Sequence, residues 1–143
     1  MDGLLRPAAL LLTLFVATGS GCAKKDGDVA THQMSRVRIL TNLHAMATTK
    51  LGHLPRDEQE FKQAIAKLQV NLEKRKAGSI DELFISERDG QPLVVIYGSG
   101  SVDSDVVVYE QNGVNGKRMV GHRIGMVEEV DEASFKDLTT LKQ

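Results

Sequence analysis

The sequence predicts an α+β domain: two N-terminal helices, an antiparallel β-meander of four to five strands and a short C-terminal helix. Three observations carry this. Apolar residues recur at steps of three and four as far as Leu72, then at steps of about two from Leu83 onward. Turn signals at Asp89-Gly90, Gln111–Gly116 and Gly125 cut the second half into short segments. Asp57 and Asp131 stand where helix N-caps are needed, each ahead of a helical apolar stripe.

The first helix is expected from Thr31, with Met34, Val37, Leu40, Leu43, Ala47, Leu51 and Leu54 on one face. Gly52 and Pro55 close it. Asp57 opens the second helix with Glu60 three residues on, a capping-box spacing, and Phe61, Ala64, Ile65, Leu68 and Leu72 form its buried stripe. This helix should end before Gly78, and Ser79 with Glu82 could start one further short turn. Strands are expected at Leu83–Ser86 and Leu93–Tyr97 around the Asp89-Gly90 turn. Further strands are expected at Asp105–Glu110, Lys117–Gly121 and Met126–Val130, before a helix carrying Phe135, Leu138 and Leu141. In the expected core, Phe61, Ile65, Leu68 and Phe84 meet Val94, Ile96 and Phe135. One of Val106 or Val107, and one of Val108 or Tyr109, should join them, because strand alternation sends neighbours to opposite faces.

The N-terminus gives an address. Arg6 precedes an apolar run, Ala8–Ala17, and the small residues Thr18-Gly19-Ser20-Gly21 lead to Cys22, the chain's only cysteine. A positive start, a short apolar run and a small-residue site are the parts of a secretory signal, and the run is too short to span a bilayer core of about 30 Å. Placed directly after Gly-Ser-Gly, Cys22 resembles the lipobox cysteine of bacterial lipoproteins. The resemblance implies a signal peptide over 1–21 and an acylated Cys22 as first mature residue, with attachment to a bacterial membrane facing periplasm or exterior. Ala23, in place of Asp, implies sorting to the outer membrane. Residues 22–30 then form a polar tether, and 31–143 a single domain.

Two stretches resemble the pilin-like domains abundant in planctomycete-type bacteria and the small lipoproteins related to them. Ile39–Pro55, ILTNLHAMATTKLGHLP, is similar to the start of such domains. ERDGQPLVVIYG, VVVYEQNGVNGKRMV and VDEASFKDL are similar to their sheet and closing helix. The matching motifs are structural punctuation and none is catalytic, so the resemblance implies a fold and no reaction. In place of the Asp-Gly that ends the sheet in these relatives, this chain has Ile124-Gly125.

Composition narrows function by exclusion. Of 143 residues 26% are charged, yet 18 Lys+Arg against 19 Asp+Glu leave a net charge of −1 and no basic field for nucleic acid. Aromatics are 4% with no Trp, which disfavours a stacking platform. A lone cysteine excludes an internal disulfide and a thiolate zinc site. His32, His44, His53 and His122 make no His-x3-His pair and are expected to be solvated helix or turn residues. Asp103-Ser104-Asp105 lacks the further ligands of a calcium loop. Gly98-Ser99-Gly100-Ser101 lacks the Lys of a phosphate loop and the frame of a nucleophile elbow. Glu128 and Glu129 are strand neighbours that cannot converge; one is expected to be solvated and the other to be a strand-edge charge. No catalytic residue, metal or cofactor is expected.

The expected function is thus a membrane-anchored, non-enzymatic envelope module with an envelope protein as partner. The rival readings are a periplasmic small-ligand or metal-binding protein and a minor pseudopilin. A pilin fibre keeps its apolar N-terminal helix, whereas Ala8–Ala17 would here be removed and the charged Lys24–Asp28 would follow, so polymerisation is not expected.

Overall fold

The computed structural model describes residues 35–98 and 105–139. The signal segment, the tether, Cys22, His32, Met34, Asp103, Ser104 and Leu141 lie outside them, as does the predicted helix start at Thr31. Within them are three α-helices and a four-stranded antiparallel sheet, an α+β arrangement.

Helix α1, Arg36–Leu51, begins where the extended Ser35 turns its side chain back to accept the Arg38 N–H. It ends at Gly52, whose φ of 77° is the left-handed conformation that closes a helix without a Cβ clash. Both oxygens of Glu87 accept the Arg36 backbone N–H, at 3.1 and 3.2 Å, so a distant acidic side chain joins Ser35 at this helix terminus. Helix α2, Glu58–Lys67, is capped by Asp57, which accepts the Glu60 N–H at 2.8 Å, while Glu60 accepts the Arg56 N–H at 2.7 Å.

This helix stops short of Gly78. Gln69 takes a positive φ of 49°, and Asn71 turns its carboxamide onto the Lys74 N–H, a local bond that competes with helix. Two short 3₁₀ turns follow, Glu73–Arg75 and Asp81–Phe84. The second replaces the strand expected at Leu83–Ser86, and the segment keeps a single β-bridge, Ile85 to Pro92. Arg36 explains the change. Its Nη1 donates to the carbonyls of Glu82 and Ile85, at 2.8 and 3.0 Å, while Nη2 pairs with the Glu82 carboxylate at 2.7 Å. A strand over Leu83–Ser86 would need the Ile85 carbonyl for its ladder, and Pro92 has no N–H to offer.

The sheet is a meander, β1 Leu93–Val95, β2 Val106–Glu110, β3 Lys117–His122 and β4 Val127–Asp131, each strand paired with the next. Helices α1 and α2 cover one face. There Leu40, Leu43, Phe61, Ile65 and Leu83 pack on Val108 and Met119, all essentially solvent-free. Phe61 is central, edge-on to His44, Phe84 and Tyr97. The other face carries a smaller cluster of Val106, Val120 and Val130 beneath Tyr109, Phe135 and Leu138. Helix α3, Glu132–Thr139, supplies Phe135 and Leu138 and is started by Asp131, which accepts the Ser134 N–H at 2.8 Å.

Two expectations about the core are thereby corrected. Phe135 lies across the sheet from Phe61, against Tyr109 at 5.0 Å between ring centres. Leu93, Val95 and Tyr97 join the helix-side core where Val94 and Ile96 were expected. Val107 and Val108 join it as one of each offered pair, neighbours facing the same way because β2 is bulged: Val106 pairs with His122 and Val108 with Gly121, leaving Val107 extra. Beside the bulge α1 presses closest. A Cβ on Gly121 would overlap the Thr41 side chain.

Candidate functional site

Three polar constellations are built into this frame. The most enclosed is on the helix-side face at the start of β3. Glu110 ends β2 pointing into the core and is 1% exposed. Its oxygens accept the Ser86 hydroxyl at 3.1 Å and the Met119 N–H at 2.8 Å, and Arg88 Nη1 stands 3.3 Å away as an ion pair without hydrogen-bond alignment. Arg88 Nη2 donates to Glu129 at 2.7 Å, so one guanidinium bridges two carboxylates of the sheet. This arrangement satisfies a buried charge and ties the Glu87–Gly90 turn to β2 and β4.

The second is on the opposite face. His122 ends β3 and is only 3% exposed. Its Nδ1 lies 2.8 Å from Asp105 Oδ1 and its Nε2 2.8 Å from Glu128 Oε1. The ring thus clasps the start of β2 to β4 across β3. The two nitrogens point apart, which prevents both carboxylates from joining the imidazole on one metal ion. Among the described residues no group of three His, Cys, Asp or Glu side chains is placed to hold one.

The third constellation fixes α3. Arg118 makes a two-pronged pair with Glu132, both contacts at 3.0 Å, and its guanidinium lies 4.5 Å over the Phe135 ring. Its Nη1 also donates to the Gln111 carbonyl.

The described histidines are not uniformly solvated, which corrects the sequence reading. His44 is 1% exposed in α1, and burial is the chief cause that lowers its pKa, opposed by a backbone hydrogen bond with Ile96. Its Nε2 has no hydrogen-bond partner among the described residues. His53 is half-buried between α1 and α2, with Nδ1 2.8 Å from the Leu54 carbonyl oxygen. Glu128 and Glu129 do diverge as strand neighbours must, but both are engaged, with His122 and Arg88 respectively. Of the glycine loop only Gly98 is described, donating its N–H to the Pro55 carbonyl at 2.8 Å.

Sequence reasoning missed both the His122 clasp and the Glu110 pair. A signal existed for the first. Alternation along β3 places His122 on the same face as Val120, and Val120 faces Glu128 across the register. An open groove of about 550 Å³ between β4 and α3 is edged by Glu128, Glu129, Asp131 and Asp137 with Lys117. Tyr97, packed on Phe61, has its hydroxyl pKa raised by burial. Each buried ionisable contact described above joins elements of the fold to one another. No helix among the described residues is long and apolar enough to cross a membrane. Comparison with protein-family models, curated proteins and solved structures finds no match for this chain.

Proposed function

We propose that the protein is a lipid-anchored, non-enzymatic module of a bacterial envelope, held at a membrane by acylated Cys22 and presenting an α+β domain of pilin-like descent. The observation that carries the reading is the N-terminal pattern: Arg6, the apolar run Ala8–Ala17, small residues 18–21 and a single cysteine. Among the described residues two helices precede an antiparallel meander, the order that the pilin-like resemblance implies. The structural use of the ionisable groups supports a scaffold role: Glu110, His122, Arg36 and Arg118 each bind backbone or an opposite charge within the domain.

The test is fractionation with an alkyne-tagged fatty acid in the producing cell. Wild type should label and sediment with membranes, while Cys22→Ala should lose the label and move to the soluble fraction. An unlabelled wild type, or a Cys22→Ala protein that stays with the membrane, overturns the anchor. Shearing should release no filaments containing this chain; their recovery would identify a minor pseudopilin instead.

A further inference from the structure

Three large apolar side chains are exposed among the described residues, Met46, Ile124 and Met126, and they are not scattered. Met46 lies on the outer side of α1; Ile124 and Met126 flank Gly125 in the β3–β4 turn. The turn abuts the helix, since a Cβ on Gly125 would lie 3.6 Å from Asn42 Oδ1. Asn42 and Met46 are one helical turn apart on a single row, and Lys50 continues it. Beyond them a shallow depression of about 450 Å³ is lined by Met46, Thr49, Lys50 and Leu68. The strip from Ile124 to Leu68 is therefore continuous.

Its charge is one-sided. Helix α1 contains no Asp or Glu in sixteen residues. Lys50 and Arg123 are exposed along the strip. Asp105 and Glu128, next to the turn, are hydrogen-bonded to His122 with side chains 55% and 41% exposed. The exposed charges carried by the strip itself, Lys50 and Arg123, are both cationic.

We infer that this strip rests on an anionic lipid bilayer. The inference rests on the Cys22 anchor, because Ser35 lies only thirteen positions after Cys22, a length of chain that can span at most about 45 Å. A domain on so short a leash meets the lipid surface at high effective concentration, where weak contacts suffice. Exposed apolar tips enter the headgroup boundary, and flanking Lys and Arg are drawn to anionic lipid.

The test uses residues 22–143, which include every described residue, with Cys22 coupled chemically to maleimide lipid in vesicles. Oxidation of Met46 by peroxide and acetylation of Lys50 are followed by mass spectrometry, with Lys136 on α3 as the reference. On vesicles containing anionic lipid, Met46 and Lys50 should react several-fold more slowly than in the free chain, while Lys136 is unchanged. Ile124→Asp and Arg123→Glu, both at exposed positions, should restore the free rate at Met46. Equal rates on vesicles and in solution, equal protection on purely zwitterionic vesicles, or matching protection of Lys136 would each overturn the inference. Chemical coupling sets the anchor regardless of what the cell does to Cys22, so failure here is distinct from failure of the acylation experiment.

Discussion

The two faces of the sheet are held by different means. Toward α1 and α2 the contact is volume: Phe61, Leu40, Leu43, Ile65 and Met119 exclude water almost completely, and the one deep charge, Glu110, is fully engaged. Toward α3 no residue of the helix is fully buried; three valines, two half-buried rings and the Arg118–Glu132 pair make the contact. Each face also holds a buried histidine. His44 sits among apolar neighbours, whereas His122 spans two carboxylates. A meander this small can support one proper core; its second face is closed by charge and by single rings. Damage of equal size to the two faces should therefore have unequal consequences.

The sharpest way to break that comparison is to truncate the ring on each face. Phe61→Ala empties the centre of the main core and should cost about 3–5 kcal/mol, a large share of a small domain's stability of about 5–15 kcal/mol. Phe135→Ala, at a half-buried site, should cost about 1 kcal/mol. Denaturant melts of both variants check this. Equal losses would mean that α3 belongs to the cooperative core.

A smaller effect tests how tightly α1 is seated. Gly121 has ordinary backbone angles, so only the approach of Thr41 demands glycine there. Gly121→Ala should cost about 1–3 kcal/mol by overpacking. Thr41→Ala, which removes the overlapping hydroxyl and methyl, should recover part of it when combined. Additive losses in the double variant would show that the helix and β3 do not meet as closely as described.

Much of the fold was legible because local chemistry decided it. Asp57 and Gly52 mark helix ends by satisfying backbone groups within three or four residues, and the Asp89-Gly90 turn needs only its own dihedrals. The failures are all long-range. The Leu83–Ser86 segment reads as a strand until Arg36, some fifty residues away, takes the Ile85 carbonyl and the Glu82 carbonyl just ahead of it. Alternation fails at Val107 because the bulge depends on how β2 meets β3. His44 and His122 could be counted in the sequence but not placed, since burial is set by partners on other elements. The candidate site divides likewise: Cys22 is read from its flanks alone and lies outside the described residues, while the His122 clasp needs three strands in register.

The smallest effect concerns His44 and sharpens the description of the apolar face. Burial lowers the pKa of His44 below its ordinary 6.5, so the folded state keeps the ring neutral where the unfolded chain would protonate it. In the window between the two values the unfolded state binds more protons, and stability falls as pH falls. The contribution of His44 is fully present above about pH 6.5 and is lost as acid approaches the lower folded value. A single proton contributes at most about 1.4 kcal/mol per pH unit, so the slope is modest. His44→Leu keeps an apolar group of similar reach beside Phe61 and removes the titration. Its stability should therefore change less than wild type's between pH 7.5 and 5.5. Denaturant midpoints at the two pH values, compared between His44→Leu and wild type, decide it. Parallel curves for wild type and His44→Leu would show that the main core admits the charged ring, and would remove the distinction between the two faces at its most local point.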